Sequence, residues 1–502
     1  TMCVFALVMS NSISKVALEP LERMLDVVRQ RCQQIFRYTD DLKEDMVEEE
    51  VTEEEEDFDD FEQSSEFQLL EKVVAKLALI AHLTTNNPEL ELKDNMNENE
   101  IMVLNWMQGT QVKASPRGLV VDAHSHDGSG RTGTLCSSIM TSIPPDVKEL
   151  LGSEDFDPLD LKKEMKIQVG VYIIVSQEAS RTWVRNNVPE AQIFKLVSSL
   201  EGKYMPNSFH NFSHGLDVLY TVSLYLRRIN ADRFIPDTAH FWLMIAALGH
   251  DVGHLGVNNQ YLIESSHELA VKYNDRSPME NMHCALLFKV ASDAEANVFA
   301  QLEKDLFKEM RKGIINAILH TDMVKHNDMV KEMGLLYQMN SETFDALDPG
   351  AAAEGSQATF QLFTGALLHC SDVSNPTRPW EVCKRYAHLC LDEFFAQGDL
   401  EKAAGIPVQM LNDRDKVNRP NSQVGFIEFV ITPLVESIVS IFPQLDGIAV
   451  HLGRNIASWA EVWQDQYSPP ADAVSKVNVR VQKVAARCKA VMRVERRLDT
   501  RH

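Results

Sequence analysis

Beyond residue 145 the apolar positions recur every three to four residues, the spacing that lines one face of an α-helix, while the alternation of a half-buried strand is scarce. The pattern predicts helices at 161–175, 191–200, 214–228, 238–248, 279–290, 295–320, 361–368, 380–395, 422–442 and 457–466. Helices of these lengths predict an all-α, compact multihelical domain over about residues 150–470. A last stretch, 471–502, repeats valine among nine lysines and arginines from Ser475 onward. It reads as a basic C-terminal helix or tail, laid on the core or offered to a partner.

The first 149 residues have a different texture. Within 1–39, Leu21, Met24, Leu25, Val28, Ile35 and Phe36 form a helical stripe, expected to be a linker, juxtamembrane or dimerising helix. Residues 2–9 are an unbroken apolar run behind Thr1, expected to be either the end of a longer membrane helix or a processed terminus. Residues 40–62 hold fifteen acidic side chains and one lysine, so like-charge repulsion predicts a hydrated, disordered spacer. The region 63–149 starts with a helical pattern at 66–82 and then turns polar and flexible. His124 and His126, among serines and glycines, read as linker residues, and the glycines beside them do not match a phosphate-binding loop.

Charge narrows the choice of partner. A formal net charge of -24 disfavours a nucleic-acid polymer but leaves room for a small phosphate ester neutralised locally by metal ions. Eight cysteines without a repeated pair spacing read as free thiols of an intracellular, cytoplasmic chain rather than a disulfide scaffold or a zinc finger.

Three segments carry candidate chemistry. In FHNFSHGLD, helical spacing would bring His210, His214 and Asp217 toward a common face, although an isolated pair of histidines one turn apart serves structural roles equally well. In HDVGH, His250, Asp251 and His254 follow the apolar run FWLMIAALG, where unpartnered ionisable groups are costly, so either core hydrogen bonds or a metal must satisfy them. In LLHCSDVSNPTRPW, Asp372 closes an apolar run and Asn375-Pro376 makes a turn. Imidazoles and carboxylates together suit zinc beside a harder cation.

These blocks, with LDEFFAQGDLE at 391–401 and SQVGFIEF at 422–429, resemble the catalytic domain of the class I cyclic nucleotide phosphodiesterases over residues 150–460. The resemblance implies an HD-type fold in which His214, His250, Asp251 and Asp372 hold zinc, and Asp251 bridges to a second ion, magnesium or in its place manganese. It implies hydrolysis of a cyclic nucleotide by a hydroxide bridging the two ions. His210 would be the general acid, with Glu280 supporting its protonated ring. His254 would bond the water network and Asp322 would complete the outer shell. Gln423 would read the purine edge, Phe426 would stack on the ring, and Asn375 would contribute to base contacts.

Asparagine at 375 leads to the expectation of cyclic AMP hydrolysis to 5'-AMP. The alternatives are a cyclic GMP-preferring or dual-specificity enzyme, an HD-type mononucleotide phosphohydrolase, and a noncatalytic nucleotide-binding regulator. Phe209 and Met282 depart from the tyrosine and histidine of many relatives and are expected to alter local hydrogen bonding. Residues 339–356 read as a loop and 405–420 as a mobile flap over the pocket. A homodimer and a membrane-attached N-terminal region stay open as partners.

Overall fold

Prolines and polar caps begin the helices that the apolar spacing predicts. The structure, a computed structural model, describes residues 143–177, 180–345, 349 and 356–499, and among these every regular element is helical. The stripe at 20–36, the acidic tract, His124 and His126 lie outside the described residues.

The helices that frame the site are α1 (Lys163–Ser176), α2 (Phe212–Arg228), α3 (Asp237–Gly249), α4 (Pro278–Val290), α5 (Lys304–Leu319), α6 (Gln357–Asp372), α7 (Trp380–Ala404), α8 (Arg419–Phe426), α9 (Thr432–Ile441), α10 (Asp446–Tyr467) and α11 (Ala471–Asp499). The central element is α2, buried without interruption from Phe212 to Leu226 and packed on α1, α3 and α6. Its start is set by Asn211, whose side chain accepts from the Ser213 N–H at 2.8 Å. Because Asn211 is the cap, His210 lies outside the helix, and the common face expected for His210, His214 and Asp217 does not form.

Close approach of α2 and α3 depends on Gly215. A Cβ there would meet the Tyr204 hydroxyl at 2.6 Å, and that hydroxyl donates to Leu248 O on α3 at 2.8 Å. His214 and His250 flank this junction in sequence, so the glycine brings the ends of the two helices together.

Several helix limits differ from the sequence pattern. The stretch 295–303 is turns, because Asp293 accepts from the Glu295 N–H and Asn297 from the Phe299 N–H, and α5 begins only at Lys304. Helix α7 runs past Phe395 to Ala404, where Gly405 ends it at φ 68°. The predicted helix at 422–442 is divided into α8, a π-helical turn at Ile427–Ile431, and α9. Pro433 lacks an N–H and crowds the carbonyl one turn back, while Thr432 Oγ1 donates to Ile427 O at 2.7 Å, which favours the wider turn there. Within 339–356, residues Ser341–Asp345 are helical.

Arg419–Ile441 is long and apolar enough to cross a membrane. In this fold it is core, with Val424, Ile427, Val430, Leu434 and Ile438 fully buried. Helix α11 packs on α9 and α10 through Val477, Val484 and Cys488, so the basic tail forms part of the same core. The described cysteines, 284, 370, 383, 390 and 488, are all free thiols.

Inside this core Arg378 pairs with Asp217 at 2.9 Å, both side chains almost wholly buried. Removing one partner strands the other charge away from water. Arg378→Met is therefore expected to cost about 3–5 kcal/mol, seen as a lower denaturation midpoint at unchanged slope.

Candidate active site

Four side chains from three helix ends meet in one place. His214 sits in the first turn of α2, His250 and Asp251 follow α3, and Asp372 closes α6. Their ligand atoms lie within 4.8 Å of one another. His214 Nε2 is 2.9 Å from Asp372 Oδ1 and 3.3 Å from Asp251 Oδ2, and His250 Nε2 is 3.2 and 3.1 Å from the same two oxygens.

The surroundings of His250 show what charge this arrangement needs. Nδ1 faces Ala247 O at 2.9 Å and so carries a hydrogen, while Nε2 faces two carboxylate oxygens, which outweigh burial and raise the pKa of the ring well above its usual value. Two carboxylates against two imidazoles at that range require positive charge among them, supplied by protons on the rings or by a cation that takes their place. Buried Asp251 Oδ2 makes no hydrogen bond that would replace one. Burial alone would raise both carboxyl pKa values, but the positive charge that the His250 and His214 rings carry without a metal bound holds them well below the usual range. The residues present therefore fit a divalent metal, and their two-nitrogen, two-oxygen chemistry suits it.

Asp251 also belongs to a second group, with His254 and His283. His283 donates from Nδ1 to Val252 O at 2.9 Å and turns Nε2 toward Asp251 Oδ1 at 3.5 Å. The turn that carries these residues needs Gly253, which has φ 78°. His254 Nδ1 accepts from the Gly256 N–H at 3.0 Å, and its ring stacks on His210 at 3.9 Å. Burial, with the His210 ring alongside, keeps His254 well below the ordinary imidazole pKa and so neutral. Two His/Asp clusters sharing Asp251 are consistent with a binuclear metal centre.

The partner of His210 differs from expectation. Its Nδ1 is 2.5 Å from Glu393 Oε1 on α7, while Glu393 Oε2 accepts the N–H groups of Phe209 and His210 at 2.8 and 3.0 Å. Burial would lower the pKa of His210, but the Glu393 carboxylate reverses this and raises it, with Nδ1 as the ring nitrogen that the pair engages. Glu280 is engaged elsewhere and does not support that ring. It accepts from Asn259 at 2.9 Å, and burial together with the nearby Asp322 carboxylate pushes its pKa upward. Asp322 itself caps a short turn through the Val324 N–H at 3.0 Å and accepts from Ser277 at 2.6 Å.

These groups line a cavity of about 910 Å³ that also contains Asn375, Gln423 and Phe426. Asn375 donates to Asp217 at 3.5 Å, whereas the Gln423 carboxamide bonds no side chain or backbone group among the described residues. Phe209 fills the space of a phenol with apolar contact, 6.1 Å from the Tyr386 ring, and Met282 packs with a small apolar cluster around Leu262. The segment expected to be a mobile flap is fastened: Glu401 accepts from the Gln409 N–H at 3.0 Å and from Asn412 at 2.9 Å.

An all-helical domain with paired His/Asp clusters at the ends of its helices defines a metallophosphohydrolase class. Residues 209–452 match the family described as 3'5'-cyclic nucleotide phosphodiesterase. The phosphodiesterase domain of the RhoPDE fusion protein from the choanoflagellate Salpingoeca rosetta superposes with a TM-score of 0.58 at 31% identity, covering 64% of this chain and 100% of that one. The human high affinity cGMP-specific 3',5'-cyclic phosphodiesterase 9A is 37% identical over 245 residues, 49% of this chain and 39% of its own. A Drosophila melanogaster 3',5'-cyclic-AMP phosphodiesterase, isoform F, is 33% identical over 50% of this chain and 37% of its own. The chain belongs to the 3'5'-cyclic nucleotide phosphodiesterase family, and it spans about two fifths of the length of these curated relatives.

Proposed function

We propose that this chain hydrolyses both cyclic GMP and cyclic AMP to the 5'-monophosphates, with zinc at the His214, His250, Asp251, Asp372 quartet and magnesium or manganese beside Asp251. The observation that carries the reading is the His210–Glu393 pair held against the metal-ligand quartet in one cavity. Bound there, divalent cations neutralise phosphoryl charge and lower the pKa of water. The protein's own part is to place the ester and move protons. His210 donates from Nε2 to the O3' leaving group, Glu393 keeps that ring charged, and the stacked His254 fixes its plane. Phe426 offers a ring face for the purine.

Dual specificity replaces the cyclic AMP preference expected from Asn375 because of Gln423. Adenine offers a donor and an acceptor along its edge where guanine offers the reverse. A carboxamide that no neighbour among the described residues holds can present either order. The relatives support the same breadth, since the human one is named for cyclic GMP and the Drosophila one for cyclic AMP.

The purified chain, supplied with zinc and magnesium and offered each nucleotide separately, is expected to turn over both with kcat/KM values within about tenfold, the effect of roughly one hydrogen bond. Failure to hydrolyse either rejects the enzyme. A preference beyond a hundredfold for one rejects the dual reading.

A further inference from the structure

Residues 151–157 form a strap over α2, and it is held by its backbone. Leu151 O accepts from Arg227 at 3.0 Å and Ser153 O from the Tyr220 hydroxyl. Glu154 O and Phe156 O accept from Arg378 Nη2 at 3.3 and 2.5 Å. A side-chain clamp adds to this, with the Glu154 carboxylate 2.5 Å from Arg228 and 2.6 Å from His451 on α10.

Arg378 faces two ways. One side takes the strap carbonyls; on the other, Nη1 donates to Asp217 Oδ1 at 2.9 Å and to Thr221 at 3.2 Å. The second oxygen of Asp217 accepts from Asn375 Nδ2 at 3.5 Å. From behind, Asn455 Nδ2 donates to Pro376 O and Arg378 O, both at 2.8 Å, and so pins the turn between the two residues. An ionised carboxylate only accepts, so Asp217 takes the amide end of Asn375 and leaves its carbonyl oxygen for the cavity.

We propose that Arg378 is a positioning residue of the nucleotide pocket, orienting Asn375 through Asp217 while the strap carbonyls of Glu154 and Phe156 orient Arg378 itself. Placement of the strap then sets nucleotide affinity. A displacement of the strap reaches Asn375 along these hydrogen bonds, without touching the metal ligands or His210. The proposal rests on the assignment of Asn375 to the purine.

Glu154→Gln tests it, because the clamp is partly solvent-exposed and remote from the chemistry. The expected result is a KM for cyclic nucleotide raised about three- to tenfold at unchanged kcat, the weight of one hydrogen bond. Hydrogen exchange should quicken both in the strap and at the backbone amides of 377–378. Arg487→Gln opens a comparably exposed pair with Glu436, on the far side of α9, and should leave KM at the wild-type value. An unchanged KM in Glu154→Gln overturns the proposal, as does an equal rise in both variants, which marks general loosening. If wild-type protein turns over neither nucleotide, the functional reading fails by itself. The exchange measurement then decides alone: faster exchange at 377–378 upholds the coupling, and a change confined to the strap rejects it.

Discussion

Asp251→Asn is expected to strip the protein of bound divalent metal and to lower kcat/KM by about three orders of magnitude, since metal charge stabilisation is worth several kcal/mol and each tenfold costs about 1.4. The substitution keeps the shape of the side chain and removes its charge. Asp251 has the largest effect because it is shared: Oδ2 lies 3.1 Å from His250 Nε2 and 3.3 Å from His214 Nε2, while Oδ1 lies 3.5 Å from His283. No other ligand enters both clusters. Elemental analysis of the purified variant reads the metal directly. Thermal unfolding reads it a second way, because a ligand at a hundred times its Kd stabilises the folded state by about 2.7 kcal/mol. Chelation should lower the melting temperature of wild-type protein and leave that of the variant unmoved. Asp217→Asn, one turn further along α2, should keep its metal, since Asp217 faces Arg378 and not the quartet. Wild-type metal content together with wild-type turnover in Asp251→Asn would remove the quartet from the reaction.

The contrast between Asp217 and Asp251 also shows where the sequence is legible. Helix periodicity carried the fold, because a domain built from one kind of element repeats one signal. The quartet was legible in part from its setting, because His250, Asp251 and Asp372 close apolar runs where an ionisable side chain needs a partner, while His214 joined them only through the family resemblance. The sequence fails at residues whose role depends on direction. Helical spacing placed Asp217 beside His214, but the cap at Asn211 turns His210 out of the helix and leaves Asp217 to a buried arginine 161 residues away. Glu393 lies 183 residues from His210, and inside LDEFFAQGDLE nothing local separates it from Asp392, which reaches Arg419 at the surface. A sharper signal was available: in α7 the glutamate shares a buried face with Tyr386 and Gln397, at helical spacing from both, and a carboxylate there demands a partner. Glu280 was assigned to His210 from the resemblance alone, and packing against Asn259 and Asp322 gives it different surroundings.

Glu393→Gln carries the second large effect, expected as a loss of about a hundredfold in kcat, the lower end of what general acid catalysis supplies. The substitution is nearly isosteric. Its carbonyl oxygen can still accept the N–H groups of Phe209 and His210, which Glu393 Oε2 accepts at 2.8 and 3.0 Å, so the loop keeps its place. What changes is the atom facing His210 Nδ1. An amide group there donates, so Nδ1 must accept, and His210 becomes a neutral ring with its hydrogen on Nε2, a far weaker acid than the imidazolium. The sign of the pH effect follows. A general acid works below its pKa and fails as pH rises through it. In the wild-type chain burial would depress the pKa of His210, and the Glu393 carboxylate overrides that and raises it. Without the carboxylate, burial prevails and the alkaline limb of the kcat profile moves to lower pH. His210→Asn should lose 10²- to 10⁴-fold with no such limb remaining. A merely structural role for Glu393 predicts lower stability with the limb in place. The pH profile therefore separates the two: a limb at the wild-type position in Glu393→Gln would show that His210 draws its proton affinity from elsewhere.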